Sequence, residues 1–263
     1  MLVSKEIKFI DIHGHVNFPE YDADREEAIK RANDAGVAMI CVGTDVESSK
    51  SALELAKNHE NMWVTVGIHP TEQAGDKTFS GLEELAKHSK VVAIVECGLD
   101  YFHSKQEDIP KQKSLFIEQI NLANQVNKPL MLHVRSGKNG KNAYQEAIEI
   151  LKTTAKVRAN FHFFAGTIED LKDVLDLNCT VSFTGVLTFT RDYDELVKYA
   201  PIDRLMSETD CPFVAPAPFR GKRNEPAYVV EVVKAIARIR GEDEEKVADQ
   251  LLLNAKLFFG LHD

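Results

Sequence analysis

Eight short runs rich in β-branched and apolar residues recur along the chain, at 9–12, 39–42, 62–66, 91–96, 130–134, 158–163, 180–183 and 205–209. The segments between them are long enough for a crossover helix each, so the pattern is strand, helix, strand throughout. Eight such units in 263 residues match the number and length that close a barrel of parallel strands. A doubly wound sheet shows the same alternation, but it draws its site from a few neighbouring loops at one switch point. Here residues able to bind metal follow nearly every run. The sequence therefore predicts an α/β fold, a single-domain TIM-type (β/α)8 barrel over residues 1–263, with its site at the C-terminal ends of the strands.

Helical signals fill the gaps. Ser80-Gly81-Leu82-Glu83 and Thr167-Ile168-Glu169-Asp170 read as capping boxes, and Phe116, Ile120 and Ala123 share one helix face. Pro216, Pro218 and Pro226 mark residues 213–226 as a long loop after the eighth strand.

No stretch approaches the roughly 18 apolar residues of a membrane span, and the first residues lack the basic and apolar regions of an export signal. Cys41, Cys97, Cys179 and Cys211 stand far apart with no C-x-x-C pair, which fits a reducing compartment. These features lead us to expect a cytoplasmic protein with no membrane contact; the outer helices show no seam beyond ordinary amphipathic packing, so a monomer with no obligate protein partner is the simpler expectation. The net charge of −9 argues against broad adhesion to a nucleic-acid backbone, so any such contact must be local.

The ligand-type residues recur at the ends of runs. His13-Gly14-His15 follows the first, where a period of two sets both imidazoles on one side. Glu96 ends the fourth; a carboxylate buried there is costly unless it is paired, hydrogen-bonded or bound to metal. A purely structural ion pair, with Arg135 as partner, is the competing reading. His133 ends the fifth run and His162 interrupts the sixth, each alone compatible with an ordinary core histidine. Glu208 and Asp210 end the eighth, on one side by the same period, Asp210 as ligand and Glu208 supporting it or facing substrate. Seen alone, that pair could equally cap a helix before Pro212. Together these residues form two sets, His13, His15 and Asp210, and His133 and His162, with Glu96 shared between two adjacent cations.

Substrate contacts are expected from His69, which closes the third run beside Pro70, and from Arg220, Lys222 and Arg223, where many barrels hold phosphate. A solvated loop is the plain alternative for that basic cluster. Tyr101, Phe102, Phe213 and Phe219 are candidates for stacking on bases or for packing.

In order, Asp11-Ile12-His13-Gly14-His15, Gly67-Ile68-His69-Pro70, Glu96-Cys97-Gly98-Leu99-Asp100-Tyr101, His133-Val134-Arg135, Glu208-Thr209-Asp210-Cys211-Pro212 and residues 220–226 resemble the TatD family of metal-dependent deoxyribonucleases, in the amidohydrolase-like superfamily. The resemblance runs nearly end to end. It departs at His162-Phe163-Phe164-Ala165-Gly166, where the family's usual motif is His-Cys-Phe-Ser-Gly, and at Val95, where glycine is common. It implies a 3′ to 5′ exonuclease on single-stranded DNA using divalent magnesium, manganese or zinc. In that chemistry Glu96 bridges two cations, Asp210 orients the attacking water or takes its proton, and His69, Arg135 and the 220–223 cluster face the phosphate. A two-metal amidohydrolase acting on a small amide or lactone is the alternative. Many members of that branch bridge their metals with a carboxylated lysine on strand four, where this chain has Glu96. A barrel kept only for binding is a third reading, disfavoured because every expected ligand is present.

Overall fold

Each apolar run becomes one strand of a single parallel sheet. The computed structural model describes residues 6–72, 79, 81–138 and 140–261. Its strands are β1 (Phe9–Gly14), β2 (Val37–Val42), β3 (Met62–Val66), β4 (Val91–Asp100), β5 (Leu130–Arg135), β6 (Ala159–Phe161), β7 (Thr180–Phe183) and β8 (Leu205–Ser207). They stand in sequence order, and a parallel bridge from Gly14 to Cys211 joins the first to the segment after the last. Between them run α1 (Arg25–Asp34), α2 (Val46–Ala56), α3 (Leu82–Ala86), α4 (Ile109–Val126), α5 (Ala143–Thr154), α6 (Ile168–Asp176) and α7 (Asp194–Tyr199). Helices α8 (Val229–Arg240) and α9 (Glu244–Phe259) follow β8. This is the (β/α)8 barrel that the alternation predicts.

The strands read as continuous apolar runs because both faces are covered; β2 and β4 are buried at every residue. Ile10, Ile12, Ile40, Val92, Met131 and Met206 meet in one cluster. They come from strands that are not all neighbours, so they meet inside the barrel, and Phe258 and Phe259 of α9 close that cluster. Phe116, Ile120 and Ala123 are buried on α4, as their spacing predicts. The capping box at Thr167 forms, Asp170 accepting from Thr167 N while Thr167 Oγ1 accepts from Asp170 N. Ser80 lies outside the described residues, and α3 starts at Leu82 with Gly81 at its N-cap and no side-chain cap.

Strand ends depart from the sequence reading where they matter most. β4 continues four residues past Glu96, paired with β5 as far as Asp100 against Arg135. β6 and β8 stop early, so His162, Glu208 and Asp210 stand just beyond them. Asp210 adopts a φ of 54°, a left-handed turn that ends the two-residue alternation. Glu208 and Asp210 consequently serve different places rather than one side of a strand.

Asp11 ties the two ends of the sheet together. Fully buried, it accepts from Thr209 N at 2.8 Å and Thr209 Oγ1 at 2.5 Å. Burial pushes its carboxyl up to about 8, against the pull of the Thr209 hydrogen bonds. Thr209→Val keeps the shape but removes a donor from a buried carboxyl. The expected cost is about 1–3 kcal/mol, read as a Tm several degrees lower; an unchanged melt would remove this contact from the barrel's closure.

Candidate metal centre

Four imidazoles and two carboxylates converge above the barrel interior. His13 Nε2 lies 3.2 Å from His15 Nε2, 3.5 Å from Glu96 Oε1 and 3.8 Å from Asp210 Oδ1. His15 Nε2 lies 3.6 Å from Asp210 Oδ1 and 3.8 Å from Glu96 Oε2. On the other side, His162 Nε2 is 3.4 Å from Glu96 Oε1 and 3.4 Å from His133 Nδ1, which is itself 3.9 Å from Glu96 Oε1. Donors about 2.0–2.2 Å from one tetrahedral cation stand roughly 3.3–3.6 Å apart, so these separations fit the group they imply. Glu96 stands between both sets, 3.5 Å from His13 and 3.4 Å from His162.

The nitrogens turned away from the centre are equally informative. A ligating histidine must present a bare nitrogen inward, which requires an acceptor for the N–H on its far side. His15 Nδ1 donates to Val42 O at 3.2 Å, and His133 Nε2 donates to Asp100 Oδ2 at 3.0 Å. His162 Nδ1 faces Glu208 Oε1 at 3.4 Å, an electrostatic contact rather than an aligned hydrogen bond. His13 Nδ1 faces the Met131 thioether at 3.0 Å. His133 thus points Nδ1 inward whereas the other three point Nε2 inward.

Electrostatics explain why these groups tolerate burial together. Burial alone would raise Glu96, but His13, His162 and His69 around it hold its carboxyl well below the ordinary range. Burial would lower His162, yet Glu208 and Glu96 on its two sides hold it well above the usual value. Asp100 shows the same contest: burial pushes up, and hydrogen bonds from His133 and His103 prevail, holding it low. Buried carboxylates so placed demand positive charge, from a proton or a cation.

A cavity of about 700 Å³ opens over this cluster, and His69, Arg135, His103, Phe18 and Phe213 line it with the inward-facing groups. His69 Nδ1 accepts from Thr71 N at 3.2 Å and meets Thr71 Oγ1 at 2.7 Å, leaving Nε2–H to donate. Burial takes its pKa down to about 4, so at neutral pH it is an uncharged donor. Arg135 is exposed at the mouth and makes no ion pair with Glu96, against the structural alternative.

Other expected contacts lie elsewhere. Arg223 pairs with Asp24 at 2.6 Å and Glu225 at 3.0 Å, fastening the loop to α1. Arg220 stacks on Phe189 and donates to Ala215 O. Neither these two nor Lys222 is among the described residues lining the cavity. Glu208 is fully buried, accepting from Phe163 N and Ser182 Oγ, and so stands behind His162 rather than toward substrate. Phe219 stacks on Tyr228, a packing role.

Asp100 is the group that sequence reasoning passed over. Its Oδ1 accepts from Phe102 N and His103 N, its Oδ2 from His133 and His103. The signal was its place four residues after Glu96, the same face of one strand. Gly98, between the two, has φ 143°, and a Cβ there would fall 2.0 Å from His133 O. Gly98→Ala must therefore push β5 off β4 at His133; we expect a loss of more than about 3 kcal/mol and of bound metal together. A variant with normal Tm and metal content would contradict this packing.

A parallel barrel with imidazoles and carboxylates gathered at its strand ends is of the metal-dependent hydrolase class. The family described as TatD related DNase matches residues 10–260, and the chain belongs to it. It is 38% identical over 260 residues to the uncharacterized metal-dependent hydrolase YabD of Bacillus subtilis, covering 96% of this chain and 99% of that one. It is 34% identical to the 3′-5′ ssDNA/RNA exonuclease TatD of Erwinia amylovora, covering 95% and 99%. Among solved structures, the TatD homolog YJJV of Escherichia coli superposes with a TM-score of 0.88 at 28% identity, over 97% of this chain and 99% of that one.

Proposed function

We propose that this chain hydrolyses the phosphodiester bonds of single-stranded DNA from the 3′ end, using two divalent cations. The observation that carries the reading is Glu96 placed between two imidazole groups, 3.5 Å from His13 and 3.4 Å from His162. The exonuclease name of a relative covering nearly the whole chain supports it. Mixed nitrogen and carboxylate donors suit zinc or manganese better than magnesium, which prefers oxygen.

When bound, the cations supply Lewis-acid polarisation of the phosphoryl oxygens and an ionised water at neutral pH. The chain's own groups do the rest. His13, His15 and Asp210 would hold one cation, His133 and His162 the other, and Glu96 both. Asp210, partly exposed at the edge of the cluster, takes the proton of the attacking water. His69 donates Nε2–H to a phosphoryl oxygen without bringing a charge. Asp100 and Glu208 orient His133 and His162 from behind.

Single-stranded DNA labelled at either end, RNA of the same sequence, a lactone and a cyclic amide form the test panel. A ladder from 5′-labelled DNA, with 3′ label released at once as mononucleotide, is the expected result. Hydrolysis of the lactone or amide with no shortening of DNA would move the chain to the alternative branch.

A further inference from the structure

Two cations share one aromatic ring beside the cavity, and one of them, Arg135, lines it. Arg135 Cζ and Lys138 Nζ each lie 4.2 Å from the centroid of Phe102. Among the described residues no carboxylate pairs with either. Elsewhere cations are paired with carboxylates, as Lys113 with Glu146 and Arg223 with Asp24 and Glu225, or are spent on backbone carbonyls, as Lys128 and Arg238 are. In a chain of net charge −9, two like charges held beside one ring and left uncompensated repel each other unless an anion lies between them.

The position is built, not incidental. Asp100 fixes the Phe102 backbone by accepting from its N–H at 2.9 Å, and the same carboxylate holds His133 at 3.0 Å. Tyr101 N donates to Arg135 O at 2.8 Å, binding the loop to the end of β5. Arg135 follows His133 by two residues, roughly 6.6 Å along the strand and on the same side. A group held at the Glu96 cluster would therefore leave Arg135 free to meet its neighbour.

We infer that Arg135, Lys138 and the Phe102 ring form a cradle for the phosphate adjacent to the one being cleaved, so that the site recognises a polyanionic strand rather than a lone diester. This rests on the phosphodiesterase reading and extends it. The guanidinium gives a fork of donors to the phosphate oxygens, the ammonium a mobile point charge, and the ring a surface that keeps both extended.

The test compares KM of the metal-loaded protein for a deoxydinucleoside monophosphate with and without an added terminal phosphate, at the 5′ or the 3′ end. Bis(4-nitrophenyl) phosphate serves as a diester with no neighbour. We expect one of the two added phosphates to lower KM about tenfold or more, the usual scale for charge-assisted hydrogen bonds, with a smaller change in kcat. Arg135→Gln and Lys138→Gln should each remove most of that advantage, and Lys138→Glu should reverse it. Equal KM with and without the phosphate, or equal losses on all substrates in the variants, would overturn the cradle while leaving the diesterase reading intact. Failure of the unaltered protein to cleave any diester would sink both.

Discussion

Glu96→Gln is expected to lower turnover by roughly 10³-fold or more, the scale of removing several kcal/mol of charge stabilisation. The substitution keeps the side chain's volume and replaces one carboxylate oxygen with an uncharged NH2 that cannot bind a cation. That oxygen's neighbours are already fixed: Glu96 Oε1 lies 3.5 Å from His13, 3.4 Å from His162 and 3.9 Å from His133. In the proposed two-cation arrangement both sets would lose a member at once, so metal content should fall in parallel with rate. The fold should survive, because Glu96 is surrounded by polar groups and takes no part in the apolar barrel interior. A variant that keeps two equivalents of metal and its turnover would exclude Glu96 as the bridge.

Asp210→Asn should act differently. The amide oxygen can still face His15, but it cannot accept the proton of the attacking water. The expected loss is about 10²–10⁴-fold in kcat with a much smaller effect on KM, the pattern of a group acting chiefly in the transition state. Its surroundings fit the role. Burial would raise the Asp210 carboxyl, yet His15, His13 and His162 hold it below its ordinary value, ready as a base at neutral pH. A loss confined to KM would make Asp210 a binding group and leave the base to be found elsewhere.

Strand order and the gathering of histidines at one face were legible because both follow from period and position. An apolar run buried on both sides reads the same in any context, and a barrel brings the ends of its strands together whatever lies between them. What could not be read was pairing across the chain. Arg220, Lys222 and Arg223 look alike in sequence as a phosphate site, but the partner of Arg223 is Asp24, brought close only when the loop meets α1. Arg135 looked like an ion-pair partner for Glu96, and its charge faces outward over Phe102.

Local backbone deviations account for the other differences. A left-handed residue at Asp210 sends Glu208 beneath His162 and Asp210 toward His15, which no strict alternation allows. Asp100 was hidden because β4 runs past its apolar portion, through Gly98, where composition alone no longer marks a strand. Where the family's usual cysteine and serine give way to Phe163 and Ala165, the support of His162 is still in place. The group behind His162 is Glu208, which Phe163 reaches through its backbone N–H at 2.7 Å rather than through its side chain.

The most direct measurement is cleavage of end-labelled single-stranded DNA by chelator-stripped protein resupplied separately with zinc, manganese and magnesium, beside Glu96→Ala prepared identically. Shortening that requires added metal and disappears in Glu96→Ala is the predicted result. Equal shortening by the variant would assign the activity to a contaminant, and none by either protein under any metal would contradict a phosphodiesterase centre on this barrel.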